Sequence, residues 1–155
     1  MELARNLKTD SVSRLQPTAP HAVSPSQPLS DAVALMRRHR VGCLLVCEGN
    51  RLVGIFTERD LLQRVLAVHR PLSEPVRNCM TPDPVTVHPK EPIGVAIRRM
   101  EEGGYRHLPV VDSQGKPTGI LSVRRFVHYL AEHFPTTVYN LPPDPDAVPK
   151  APEGA

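Results

Sequence analysis

The chain has 155 residues, only 4% aromatics, no Trp and a formal net charge of +3. That is room for one compact domain whose core must be built from Val, Leu, Ile, Ala and Met. The mild positive charge is scattered and excludes a dense stripe for a phosphate backbone, so nucleic-acid binding is not expected.

In chain order, residues 1–19 are polar and rich in Ser and Thr. They are expected to lie on the domain edge or stay unstructured, with a short helix near 11–15. Residues 22–23 then form a short extended segment, followed by a turn bounded by Pro25 and Pro28. Leu29, Ala32, Val33 and Met36 fall at i, i+3, i+4 and i+7, which predicts a helix with one apolar face. Two strands, 42–47 and 51–56, are joined by the polar turn Glu48-Gly49-Asn50. A second helix with the stripe Leu61, Leu62, Val65 and Leu66 closes the unit.

The same plan then recurs. Val23, Pro25, Pro28, Ala32, Met36, Leu44 and Val46 correspond to Val87, Pro89, Pro92, Ala96, Met100, Leu108 and Val110, all at an offset of 64. After one inserted residue, Gly54, Ile55 and Arg59 correspond to Gly119, Ile120 and Arg124. Ile93, Ala96, Ile97 and Met100 repeat the first helix, 107–111 and 116–121 the strands, and Phe126, Val127, Leu130 and Ala131 the last stripe. Duplication of so small a unit means that neither copy buries enough apolar surface alone. The expected organisation is an N-terminal segment 1–19, a first repeat 20–70, a linker 71–83, a second repeat 84–133 and a tail 134–155. The linker carries Pro71, Pro75 and Pro82, which favour an extended crossing. The Pro-rich tail is expected to be unstructured, with Val138-Tyr139-Asn140-Leu141 as a docking segment.

Cys43, Cys47 and Cys79 have no C-x-x-C spacing and no His at metal-ligand spacing, so no metal is expected and a reducing, cytoplasmic setting is. The opening residues lack a signal-peptide core and no run approaches membrane-spanning length, which predicts a soluble protein. Nothing resembles a catalytic constellation of nucleophile and base, so no enzyme activity is expected.

The segment Gly54-Ile55-Phe56-Thr57-Glu58-Arg59-Asp60 carries the chemistry. A hydroxyl and a carboxylate at a helix start suit the vicinal diol of a ribose, with backbone N–H groups beside a phosphate. Thr-x-x-Asp is equally how a helix caps itself. The second repeat keeps the hydroxyl as Ser122 but has Arg125 in place of Asp60, so the cap does not demand the carboxylate.

The duplication, the Gly54-to-Asp60 segment and the string Tyr105-Arg106-His107-Leu108-Pro109-Val110-Val111-Asp112 together resemble a tandem pair of CBS domains, a Bateman module, over about residues 20–133. The resemblance implies an α+β or α/β fold of two pseudo-symmetric CBS repeats. Each would be a small β-sheet packed by two helices, the pair forming a flat module with two clefts. It also implies a regulatory sensor of an adenine nucleotide (AMP, ADP or ATP). Thr57 and Asp60 would hold the ribose, with the Ile55 backbone and Val85 near the base. Arg106 and His107 would face the phosphates, and Arg59 would add charge. The other cleft has Arg125 and Val41-Gly42-Cys43 instead, so one good site per chain is expected. Other adenosyl ligands, S-adenosylmethionine or NAD, and a ligand-independent dimerisation scaffold are the alternatives. Family practice further implies a homodimer through Leu61, Leu62, Phe126 and Val127, with output through a separate regulated protein.

Overall fold

The structure, a computed structural model, describes residues 2–135; the expected tail segment 138–141 lies outside them. Helix α1 (Glu2–Thr9) and a single 3₁₀ turn (Val12–Leu15) lead into strand β1 (Ala22–Val23). Helix α2 (Leu29–His39) follows, then β2 (Cys43–Glu48), β3 (Arg51–Thr57) and α3 (Glu58–Asp60), which runs on as a π-helical segment, Leu61–Leu66. After a 3₁₀ turn at Val76–Asn78 come β4 (Thr81–Pro82), α4 (Ile93–Gly103), β5 (His107–Val111), β6 (Pro117–Ser122) and α5 (Val123–His133).

The helices α2 and α4 form as their apolar spacing requires, burying Leu29, Ala32 and Met36 in one and Ile93, Ala96 and Met100 in the other. Each starts after a proline in extended conformation that offers no side-chain cap. The first free amide is met from elsewhere in the chain. Leu29 N–H donates to the Glu74 carbonyl at 2.8 Å, and Ile93 N–H to the Asp10 carbonyl at 2.9 Å. Val76 N–H likewise donates to Gln27 O, and Val12 N–H to Glu91 O, both at 2.8 Å. These partners keep the offset of 64, so the structural repeat reaches back to Asp10 and Glu74. An orphan helix amide needs such a partner once it is buried.

The first half holds a four-stranded sheet in the order β1-β2-β3-β4, with β1 parallel to β2 and the remaining pairs antiparallel. In the second half β5 and β6 pair antiparallel. Val87 bridges Val110 in parallel and Thr18 bridges Ile120 in antiparallel, taking the places of β1 and β4. The segment leading into each half therefore pairs with the sheet of the other half. Gly54 and Gly119 make this crossing possible. A Cβ on Gly54 would lie 3.1 Å from the Thr81 carbonyl oxygen, and one on Gly119 2.8 Å from Pro17 Cβ.

Side chains alternate along the strands. Leu44, Val46 and Phe56 enter the first core with Val65, Val76 and Cys79. Leu108, Val110 and Leu121 enter the second with Val12, Leu15 and Tyr129. A third cluster of Cys43, Leu45, Ile55 and Ile120 joins the halves.

The closing helices differ from expectation. Of the stripe Leu61, Leu62, Val65 and Leu66 only Val65 is buried, while Leu62 and Leu66 are 61% and 54% exposed. The bonds Ala67 N–H to Leu62 O and Arg70 N–H to Val65 O, both 2.9 Å, span five residues, so the turn is wider than an α-helix. In α5, Phe126 and Leu130 pack against the second core, and Val127 points away at 60% exposure.

Candidate functional site

Thr57 is the N-cap of α3 in extended conformation, and its Oγ accepts from Asp60 N–H at 3.3 Å. Asp60 Oδ2 accepts in return from the Thr57 amide at 3.0 Å and the Thr57 hydroxyl at 3.1 Å. This is a full capping box. Oδ1 accepts from the Thr81 hydroxyl at 3.2 Å and pairs with Arg64 Nε at 3.5 Å. A carboxylate only 6% exposed is thus fully compensated, as a buried charge must be. In the unliganded chain the capping reading of Thr-x-x-Asp holds, and the ligand reading is not displaced by it. An ionised carboxylate has about four lone-pair sites, and Asp60 also borders a cavity.

That cavity, about 580 Å³, lies between the halves. It falls within the range of small-ligand sites. The structure brings Ile55, Thr57, Arg59, Asp60, Val85, Arg106 and His107 together on its walls. Thr81 and Asp83 line it too without having been marked in the sequence, as do Glu58 and Tyr105, which stand inside the two quoted strings but were given no role of their own. Thr81 belongs to the crossing strand, which carries no motif of its own.

His107 is half-buried, and burial pushes its pKa below the usual 6.5; Arg106 adds to this while Glu58 opposes it. The imidazole is therefore neutral at pH 7. A lowered histidine pKa means the folded chain binds fewer protons than the unfolded one, so stability falls as pH drops below 6.5. Its full effect is present above 6.5 and lost towards the folded-state pKa. His21, stacked on His39 at 3.9 Å, is lowered as well, by burial and then by His39. His107→Gln should accordingly lose less melting temperature than wild type between about pH 7 and pH 5, with His21 contributing to the slope that remains. Parallel melts of both proteins across that range check this; identical slopes would remove His107 from the account.

The pseudo-symmetric position is built differently. Arg125 donates to the Leu15 carbonyl at 3.1 Å and to Gln16 Oε1 at 3.4 Å, clamping the N-terminal crossing segment to α5. The counterpart of His107 is Cys43, buried, with its thiol pushed up to about 12 by burial and by Asp60. It offers no charge.

The sequence profile of the CBS domain matches the chain twice, over residues 12–67 and 76–132. The chain belongs to the CBS domain family. The two matched starts are again 64 apart, as are the reciprocal amide bonds of the two halves. Among relatives, the CBS domain-containing protein YhcV of Bacillus subtilis is 34% identical over 113 residues, covering 73% of this chain and 80% of the relative. A CBS domain-containing protein of Arabidopsis thaliana, CBSCBSPB3, is 35% identical over 107 residues, or 68% of this chain, yet the match spans only 19% of that longer protein. A solved CBS domain protein from Pyrobaculum aerophilum, complexed with AMP, superposes with a TM-score of 0.70 at 27% identity, covering 74% of this chain and 88% of that one. The fold is thus a CBS pair of two mixed α/β repeats, and neither profile nor relatives point to a catalytic family. No helix among the described residues is long and apolar enough to cross a membrane.

Proposed function

We propose that this CBS pair is a regulatory module that binds an adenine nucleotide in the cavity between its halves and passes occupancy to a partner protein. The observation that carries the reading is the convergence of Thr57, Asp60, Arg59, Arg106 and His107, from both halves, on one cavity of suitable size. Thr57 and Asp60 are the ribose grip. Ile55 and Val85 flank the base, and the arginines and His107 face the phosphate. A similar protein complexed with AMP supports the choice of ligand class. Ligand held between two halves favours their closed arrangement, which is how occupancy becomes a signal. One site per chain follows from the Arg125 clamp in the other cleft.

Calorimetric titration tests this. AMP should bind the wild type, and Asp60→Asn should bind about tenfold more weakly, the loss of one charge-assisted hydrogen bond. Equal affinities in the two proteins would sink the ribose assignment.

A second reading, a ligand-independent scaffold, is favoured by one feature: both Asp60 oxygens are already partnered within the chain. The exposed Leu62, Leu66, Val123 and Val127 on the closing helices supply an apolar face for a homodimer. A stable dimer whose melting temperature ignores every adenosine compound is the outcome that selects this reading.

A further inference from the structure

We infer that the cavity admits an adenosine ligand carrying at most one phosphate and disfavours a triphosphate, with Glu58 as the residue that sets the limit. This rests on the adenine-nucleotide reading above and narrows it. Four charged side chains on the walls have no ion-pair partner among the described residues: Arg59 and Arg106, against Glu58 and Asp83. Asp60 is matched by Arg64. His107, neutral at pH 7, adds no cation. The free charges on the walls therefore cancel.

A terminal phosphate carries about −1.5 to −2 at neutral pH. Arg59 and Arg106 equal that charge but are already offset by Glu58 and Asp83, so one phosphate leaves the site net negative. Each additional phosphate brings charge for which the cavity holds no further cation, and the extra charge would meet Glu58. The Glu58 carboxylate is seated over Gly42, where an added Cβ would lie 3.1 Å from its Cδ and 3.2 and 3.3 Å from its oxygens. A side chain at position 42 would push the free end of this exposed side chain aside by a few tenths of an ångström. It lines the same cavity as His107 and Arg106, and its charge opposes the lowering of the His107 pKa. Like charges close together in a partly desolvated site repel strongly. In the second repeat the same position is Val123, which has no charge, so this feature belongs to one cleft alone.

The experiment is calorimetric titration of the full chain with AMP and with ATP, in EDTA so that no magnesium offsets the triphosphate. Wild type should bind AMP about tenfold more tightly than ATP. Glu58→Gln should raise ATP affinity more than AMP affinity and narrow that ratio about threefold. The side chain is exposed and makes no hydrogen bond among the described residues, so the variant is expected to fold, and its melting curve checks this. ATP binding as tight as AMP in wild type overturns the inference and leaves the nucleotide reading standing. An unchanged ratio in Glu58→Gln overturns the role of Glu58. Heat from neither nucleotide overturns both readings together.

Discussion

Truncating Phe56 to alanine should destabilise the chain by about 3–5 kcal/mol, the range for deleting a fully buried aromatic ring. Phe56 has no exposed surface and packs among Leu44, Val65 and Val76 in the first core. Its neighbours Ile55 and Thr57 line the cavity, so the ring also props the strand that carries the site. Leu121, its counterpart in the second core, is equally buried, and Leu121→Ala should cost about 2–5 kcal/mol. Both losses should appear as lower urea midpoints with unchanged slope. Unfolding should stay a single transition in each variant, because Leu45, Ile55 and Ile120 tie the halves and each sheet borrows a segment from the other. Two resolved transitions would show that the halves fold independently.

The parts of this fold that could be read in advance rest on side-chain periodicity. Leu29-Ala32-Met36 and Ile93-Ala96-Met100 announce helices because burial needs those side chains. The exchange of leading segments could not be read so easily. It is made by backbone groups, Glu74 O to Leu29 N–H and Asp10 O to Ile93 N–H, which leave no mark on residue identity. Leu62 was expected both on the closing stripe and on a dimer surface, and Leu66 on the stripe alone; a π turn changes which residues share a face, and a stripe drawn at 3.6 residues per turn then fails.

The site was legible to the extent that duplication with one substitution marks a difference. Asp60 against Arg125 is such a mark. Closing its own helix was one of the two roles the Thr57–Asp60 spacing offered; the structure adds that Asp60 borders the cavity and that Arg125 clamps a carbonyl. The two alternatives drawn for Asp60 from sequence were therefore not exclusive. A carboxylate with two oxygens can serve the cap and the crossing strand together, and still present an edge to a ligand.

Gly119→Ala should cost about 2–3 kcal/mol and Gly54→Ala only about 1, although the two glycines occupy equivalent positions. At Gly119 the new methyl would lie 2.8 Å from Pro17 Cβ and 3.3 Å from the Thr18 carbonyl. A proline ring has no rotamer to retreat into, and Arg125 holds the preceding turn in place through Leu15. At Gly54 the first obstacle is the Met80 sulfur at 2.5 Å, the end of a flexible side chain that can swing away. Only the Thr81 carbonyl at 3.1 Å resists there. The functional order should be the reverse. Displacing Thr81 pulls its hydroxyl from Asp60, so Gly54→Ala should weaken AMP binding severalfold, whereas Gly119→Ala, acting behind the clamped cleft, should leave AMP affinity as it was. Urea titrations and AMP calorimetry on the same two proteins check both orders. A larger stability loss at Gly54 would mean that the crossing strand beside the cavity is the more rigid of the two, and that Thr81 is held there by packing rather than by its bond to Asp60.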